Sequence, residues 1–487
     1  MALASEQKVK SPLISGSPVA LFWRDFQQTV AESEQAERAV PIALGLIRGD
    51  GEVATIRTRI IDPEKASAHE EEANRQALES LARGLLCVAG GYELLVGGPS
   101  WAVGFLEDLF PAKSDAAFGR RFVRRMYGRP LSIKNCPYDE VPDSAGPSVS
   151  IAAADLSLGN YVGADAGGSN FRVRCYDHGK LVYQRDLPWG VKPSDDIGHH
   201  LAGMMFLLYE ARAKLGNQWP DAIGWSAPGV FINGEPKAAS WLETALKANR
   251  RRTQSLFRRI SANTGRIVVG ANDGSMGAIY AATVLNVRRN ILFIAGGTDV
   301  AFGFLDDEGG FDSRLHECAF APFMIGDDEA LYDWAGTTGN PGDYIARRGL
   351  VRLGHKAGLE IPEGSLDERR IFVQDSLGGP DRHKAEMVMQ AAGIALGYDL
   401  MWLDFLYGSK IEHVMLAGVM MERGCGPLIK VAAENVLRIE DPAMAERIKI
   451  HEPPSDEEAV MGQATAAALY AAAAHQEAMN HPCIHRR

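Results

Sequence analysis

Apolar runs cut by glycine and turn residues recur along this chain, and between them lie longer stretches in which apolar residues return at helical spacing. The N-terminal segment starts polar and predicts loose chain. Ile42–Ile60 reads as a strand hairpin turning at Gly49-Asp50-Gly51, Ala68–Ala89 as a charged helix, and Tyr92–Val96 as an apolar strand ended by Gly97-Gly98-Pro99. Residues 137–149 hold three prolines with Asp, Ser and Gly and read as a linker. Beyond it, a hairpin turns at Asp177-His178-Gly179-Lys180. Met, Phe and Leu at helical spacing predict a helix over Asp196–Leu215. Next come a strand near Ile223–Ser226, an arginine-rich helix over Leu242–Thr264, and a strand at Ile267–Val269 that runs into Asn272-Asp273. A strand pair, Asn290–Ala295 and Ala301–Leu305, precedes a helical region, the strand His413–Leu416 and an alanine-rich helix, Asp456–Ala474. Strands and helices in this order predict an α/β fold with an open sheet.

The stretch Tyr161–Arg174, YVGADAGGSNFRVR, carries the most chemistry. An apolar run ends on Asp165. Gly167 and Gly168 then turn the chain, and Ser169, Asn170 and Arg172 follow as it becomes a strand again. A tight glycine turn brings backbone N–H groups and small polar side chains close to whatever sits there, which suits phosphate oxygens. A carboxylate beside a phosphate calls for a cation between them, and Mg²⁺ is the ordinary one. The motif therefore suggests a nucleotide–metal site, with a plain Gly-Gly hairpin as the alternative.

DAGGSNFRV resembles the first phosphate motif of sugar kinases in the actin/hexokinase/heat-shock-chaperone ATPase superfamily. The likeness is nearest to the D-x-G-G-T-N-x-R form of glucokinases and ROK kinases. Four further segments follow in that family's order. They are Ile223–Gly229 (IGWSAPG), Val268–Ala278 (VVGANDGSMGA), Ile291–Gly303 (ILFIAGGTDVAFG) and, more weakly, His413–Met420 (HVMLAGVM). The resemblance covers residues 158–475. It implies a two-lobed, actin-like (ribonuclease H-like) α/β fold with an interlobe cleft and an extra N-terminal α+β region. The divisions would be residues 1–155 as an accessory domain, 156–285 as the first lobe, and 286–478 as the second lobe with a returning C-terminal helix. A chain of 487 residues is long enough for about three such units.

The resemblance also implies roles. Asp273 would be the general base toward a sugar hydroxyl, with Asn272 binding the sugar; Asp273 as an ordinary helix cap is the structural alternative. Asp165 would act on Mg²⁺ through water. Gly167, Gly168, Ser169 and Asn170 would hold ATP phosphates, as would Arg172 unless it is a plain exposed strand residue. Gly296, Gly297 and Thr298 would form the second phosphate loop, and Gly418 would lie in the adenosine motif. His316 and Glu317 fall where the family places sugar-gripping residues, and Asp333 where ROK kinases carry a sugar-binding glutamate.

This chain departs from the family at Asp299, where glycine is usual, and at Ala301. A carboxylate about 5 Å from a phosphate charge would cost on the order of 3 kcal/mol at an effective dielectric near 20. The second glycine of the adenosine motif is missing, as is the cysteine-rich zinc motif of many ROK proteins. His481, Cys483 and His485 have metal-like spacing in what reads as a solvated tail. Arg120, Arg121, Arg124, Arg125 and Arg129 read as a solvated helix face.

Net charge is −11 and the isoelectric point about 5.6, which argues against general nucleic-acid or anionic-membrane binding. No apolar run approaches the roughly 20 residues that span a bilayer. The N-terminus has no continuous apolar core, and the six cysteines lack C-x-x-C spacing. A cytoplasmic protein with free thiols is expected. Its partners would be a sugar, ATP and Mg²⁺, and a second copy in a homodimer. Two functions follow: a sugar kinase with alcohol-acceptor chemistry, or a non-catalytic sugar sensor on the same fold. The absence of a clear N-terminal recognition helix favours the kinase.

Overall fold

The computed structural model describes residues 8–49, 52–111, 118–144, 148–151, 154–167, 170–189, 194–232, 234–312, 314–327, 331–332, 337–454 and 457–480. The chain is mixed α/β and forms two compact units. One comprises residues 1–146, 295–301 and 314–452; the other comprises 147–294, 302–313 and 453–487. Among the described residues no helix is long and apolar enough to cross a membrane, and Cys87, Cys136, Cys175, Cys318 and Cys425 are free of disulfides.

The first unit begins with a helix, Val19–Gln35, where the polar start predicts loose chain. Its apolar face, with Leu21, Phe22, Trp23, Phe26 and Val30, is buried. Trp23 packs on Trp402 and Phe405 of the long helix Arg382–Leu406, at ring distances of 5.8 and 4.8 Å. No side chain caps its start, since Pro18 precedes it, so the usual start signal is missing from the sequence.

The expected hairpin is present as Ala39–Gly49 and Glu52–Ile61. With Glu93–Gly97 and Ser132–Cys136 it forms a four-stranded sheet, in which the inner hairpin strand pairs antiparallel with Glu93–Gly97. A Ser67/Glu70 capping box opens the helix Ala68–Val88. The segment read as a linker is partly tied down. Arg57 donates to the Tyr138 carbonyl at 3.1 Å and to Asp143 at 3.2 Å. The helix Ser100–Leu109 lies where no element is predicted, and Arg120, Arg121, Arg124 and Arg125 lie on a second helix, Phe118–Tyr127, as expected. Arg120, read as part of a solvated face, is buried instead and donates to the carbonyls of Phe110 and Leu131.

The second unit is built on a five-stranded sheet. Its order is Ile267–Asn272, Ala222–Ala227, Asn160–Ala166, Asn170–Asp177 and Lys180–Pro188, the first three parallel and the last two antiparallel additions. Alternation sorts side chains to two faces. Val162, Ala164, Phe171, Val173 and Trp225 join the helix Ile197–Lys214 in one core. Tyr161, Tyr176 and Ala222 join Ala468, Ala471 and Ala472 of the closing helix Glu457–Asn480 in the other. The long arginine-rich helix is in fact three: Glu243–Ala248, Arg250–Gln254 and Leu256–Thr264. The Asn249 side chain accepts from the Arg252 N–H at 3.0 Å and starts a new helix there, a local competition that periodicity does not register.

The closing helix touches the sheet backbone. A Cβ at Gly224 would lie 1.8 Å from the Ala467 carbonyl oxygen, and one at Gly163 would lie 1.9 Å from that of Ala464. Gly224→Ala should therefore cost about 1–3 kcal/mol or more by overpacking. Gly104→Ala, on an exposed helical position with nothing within 4 Å, should instead stabilise by about 0.5–1 kcal/mol. Urea unfolding of the two variants checks this. Equal midpoints for both would remove the close-approach account of the helix seat.

Candidate functional site

The three parallel strands of the second unit end together, and strand register sets what stands at that edge. Asp165 pairs with Ser226 on one side and Arg172 on the other, while Ala227 pairs with Asn272. Asp273 follows as the first residue of the helix Asp273–Leu285. The carboxyl ends of parallel strands in open α/β sheets are where ligands bind. Here that edge carries two carboxyls, a hydroxyl, a guanidinium and an amide.

Each side chain has a defined partner. Arg172 Nη1 donates to Asp165 Oδ2 at 3.2 Å and Nε to Asp186 Oδ2 at 3.2 Å. Asn170 donates to Asp186 Oδ1 at 2.7 Å. The helix cap is Asn272, not Asp273. Its Oδ1 accepts from the Gly274 N–H at 2.6 Å, and its Nδ2 donates to the Gly229 carbonyl at 2.8 Å, which ties the Pro228-Gly229 turn to the helix start. Asp273 stands in the first turn beside the cap, its Oδ1 accepting from the same Gly274 N–H at 3.0 Å.

Gln463 of the closing helix links the edge together. Its Nε2 donates to the Asp273 carbonyl at 3.3 Å, and its Oε1 accepts from Ser226 at 2.6 Å. Ser226 also hydrogen-bonds the Asp165 carboxyl.

Both carboxyls are held far above the usual range. Burial pushes Asp165 up to about 6; Arg172 opposes this and the Asp273 charge reinforces it. Burial likewise pushes Asp273 up to about 6, against the Gly274 N–H. Two carboxyls in one desolvated place favour a cation beside them. Mg²⁺ suits such a place, since it takes one or two carboxylates and keeps several waters. Among the described residues no group of three or more His, Cys, Asp and Glu forms a metal cage.

The first unit gathers a second set. A Cβ at Gly418 would lie 2.1 Å from the Gly296 carbonyl oxygen, and one at Gly296 would lie 2.4 Å from that of Ile345. The segment 342–348 and the strand ends at 296 and 418 thus meet backbone to backbone. Between Gly296 and Val300 the loop is closed on itself: the Gly297 N–H donates to the Asp299 carbonyl at 2.6 Å. Thr298 is exposed at its tip. Asp299 is not a bare charge. Its Oδ1 accepts from the Val300 N–H at 3.0 Å and lies 3.1 Å from Arg348 Nη1.

The remaining expected residues divide. Gly167 has its carbonyl bound by the Trp189 ring N–H at 3.3 Å. Gly168, Ser169 and Asp333 lie outside the described residues, as do His481, Cys483 and His485. The N–H groups of Leu315, His316 and Glu317 donate to the carbonyls of Ala89, Val88 and Cys87. They satisfy the end of the helix Ala68–Val88, where carbonyls otherwise lack partners. His316 is buried, with its Nδ1 2.7 Å from the Tyr407 hydroxyl, and Glu317 is partly exposed.

Ser226, Gln463 and Arg348 carry contacts that motif reading did not single out. Ser226 is the one polar side chain in an apolar strand, and Gln463 breaks an alanine-rich run. Arg348 has no signal in its neighbourhood.

No family model and no curated protein sequence matches the chain. Solved structures resemble it. A ROK hexokinase from Thermus thermophilus is 19% identical, with a TM-score of 0.49, and the likeness covers 65% of this chain and 99% of that one. A ROK family transcriptional regulator, a homolog of the E. coli MLC protein, is 16% identical, with a TM-score of 0.48, covering 66% and 80%. A ROK family glucokinase from Streptomyces griseus in complex with glucose and AMPPNP is 16% identical, with a TM-score of 0.42, covering 63% and 99%. These are the family that the motifs resemble, and the likeness assigns no residue a role.

The raised Asp273 has a consequence without any ligand. A carboxyl at about 6 in the fold and 3.8 ordinarily stabilises the fold below 3.8, and that stability is lost as pH rises through about 6. Asp273→Asn escapes this loss, so its melting temperature relative to wild type should climb between pH 4 and 7 in metal-free buffer. A difference that stays flat over that range would mean the carboxyl is not held up by burial.

Proposed function

We propose that the protein transfers the terminal phosphoryl group of MgATP to a hydroxyl of a hexose or hexose derivative, with Asp273 as general base. The observation that carries this reading is the strand-end row. Register places Asp165 beside Ser226 and brings the Asn272-Asp273 junction to the same edge, in the motif order of sugar kinases.

Asp273 suits a base by its protonation. A carboxylate near 6 is ionised at neutral pH, yet binds a proton far better than an ordinary carboxylate. Its backbone is fixed twice, by the Asn272 cap and by Gln463. The helix start is also pressed on the neighbouring strand, since a Cβ at Gly274 would lie 2.2 Å from the Phe302 carbonyl oxygen. Such immobility serves a reaction whose catalysis is mostly positioning and electrostatics. Bound Mg²⁺ would neutralise charge on the transferring phosphoryl group, and Asp165 is the residue suited to hold it through water. Gly296, Gly297, Thr298 and Gly418 would receive the nucleotide, and Asn170 and Arg172 its phosphates. In this reading the protein works in the cytoplasm. The ion pair on Asp299 favours a second reading, a sugar-binding protein that no longer takes nucleotide, because that carboxylate already occupies a loop N–H.

A panel of hexoses, hexosamines and polyols with MgATP, assayed for ADP release, should reveal a turned-over sugar. Asp273→Asn and Asp273→Ala should lower kcat about 10²- to 10⁴-fold with sugar binding retained. Near-normal turnover in either variant removes Asp273 from the mechanism. Absence of MgATP binding to the wild type by calorimetry selects the sensor.

Gln463→Leu tests the positioning of the same residue. It removes the bridge between Ser226 and the Asp273 carbonyl, so kcat should fall roughly tenfold while both KM values stay near wild type. A variant that only loses thermal stability, with kcat intact, makes Gln463 a structural residue.

A further inference from the structure

We propose that Arg348 is a phosphate-binding residue for the donor, and that Asp299 is a built-in anion that occupies it in the donor's absence. This rests on the kinase reading for the identity of the donor and deepens it by one residue and one ligand class, the di- or triphosphate of a nucleotide.

A single oxygen, Asp299 Oδ1, receives the Val300 backbone N–H at 3.0 Å and faces Arg348 Nη1 at 3.1 Å. A backbone N–H and a guanidinium converging on one anionic oxygen is how proteins grip phosphate. Here the carboxylate stands where the phosphate oxygen would. That answers the charge penalty expected at this position, because the repulsive side chain is half of an ion pair.

Arg348 does not depend on Asp299 for its place. Its Nε donates to Asp343 Oδ1 at 2.9 Å. Asp343 is held in turn, its Oδ2 accepting from the Asn340 N–H at 3.1 Å and its carbonyl from Arg352 at 3.0 and 3.2 Å. Asp343 is buried, at 5% side-chain exposure, whereas Arg348 and Asp299 are 22% and 25% exposed. An anion from solvent can therefore displace Asp299 but not Asp343. The guanidinium stays anchored by Asp343 when Asp299 is displaced.

Gly342 keeps this geometry open. A Cβ there would lie 2.1 Å from Arg348 Nη2 and 2.5 Å from Asp299 Oδ1. A polyphosphate carries more charge than a carboxylate and can take two guanidinium N–H groups at once, so it wins the exchange. The price is an affinity lower than a glycine at 299 would give.

Calorimetry with magnesium pyrophosphate tests this on the full chain, using wild type, Asp299→Asn, Arg348→Ala and the double variant. The probe has neither nucleoside nor acceptor, so its result stands even if no sugar is phosphorylated. Asp299→Asn should bind roughly tenfold tighter than wild type, and Arg348→Ala roughly tenfold weaker. The double variant should lack the gain of Asp299→Asn. Melting curves of all four identify any variant that fails to fold, and Arg348→Lys, keeping the charge without the fork, should fall between wild type and Arg348→Ala. Equal affinities across the folded variants, weaker binding in Asp299→Asn, or no binding by any of them would each overturn the proposal.

Discussion

The seat of the closing helix on the sheet is the constraint from which the strand-end site follows. Two strands carry glycine at the middle positions, Gly163 and Gly224, and the helix backbone descends onto them at Ala464 and Ala467. Small helix residues suit that close approach, and Ala468, Ala471 and Ala472 supply them against Tyr161, Tyr176 and Ala222 of the sheet. One turn earlier the same helix brings Gln463 level with the strand ends. There it can reach Ser226 and the start of the helix Asp273–Leu285 at once. A larger residue at either glycine would lift the helix by the width of a methyl group or more and break both hydrogen bonds.

Acidic groups in the two units are treated in opposite ways. Asp165 and Asp273 are desolvated beside one another, so each holds its proton up to about 6. Arg172 offsets only part of this, because it is shared with Asp186. Asp299 and Asp343 instead divide one guanidinium between them. The first arrangement stores a demand for positive charge. The second has met that demand internally. In the phosphoryl transfer proposed above, the first would handle a cation and the acceptor proton, and the second would receive anionic oxygens.

Much of this was legible in the sequence. Short apolar strands with glycine turns marked the sheet of the second unit, and charged residues at helical spacing marked the helix Ala68–Val88. The Asn272-Asp273 junction was legible because an apolar strand running into small residues needs a cap there. Which of the two residues caps was not, since Asn and Asp serve equally well. The helix Val19–Gln35 was missed for want of a cap signal at Pro18, and the break at Asn249 because a side chain captured a backbone N–H. Arg120 shows the limit of composition: an arginine among arginines is buried, where it donates to two backbone carbonyls.

Asp299 shows the deeper limit. Its charge repels a phosphate when the two are taken alone, and the sign of its effect depends on what else stands nearby. The counter-charge comes from Arg348, which is distant in sequence and has no motif around it. No periodicity or spacing rule connects the two positions. They meet because Gly296 and Gly418 let the strand ends approach the segment 342–348 backbone to backbone. An electrostatic penalty read from one loop is therefore a statement about half of an interaction. At a site built from several chain segments, the sign of a departure from a family motif is settled by the residues the fold delivers to it.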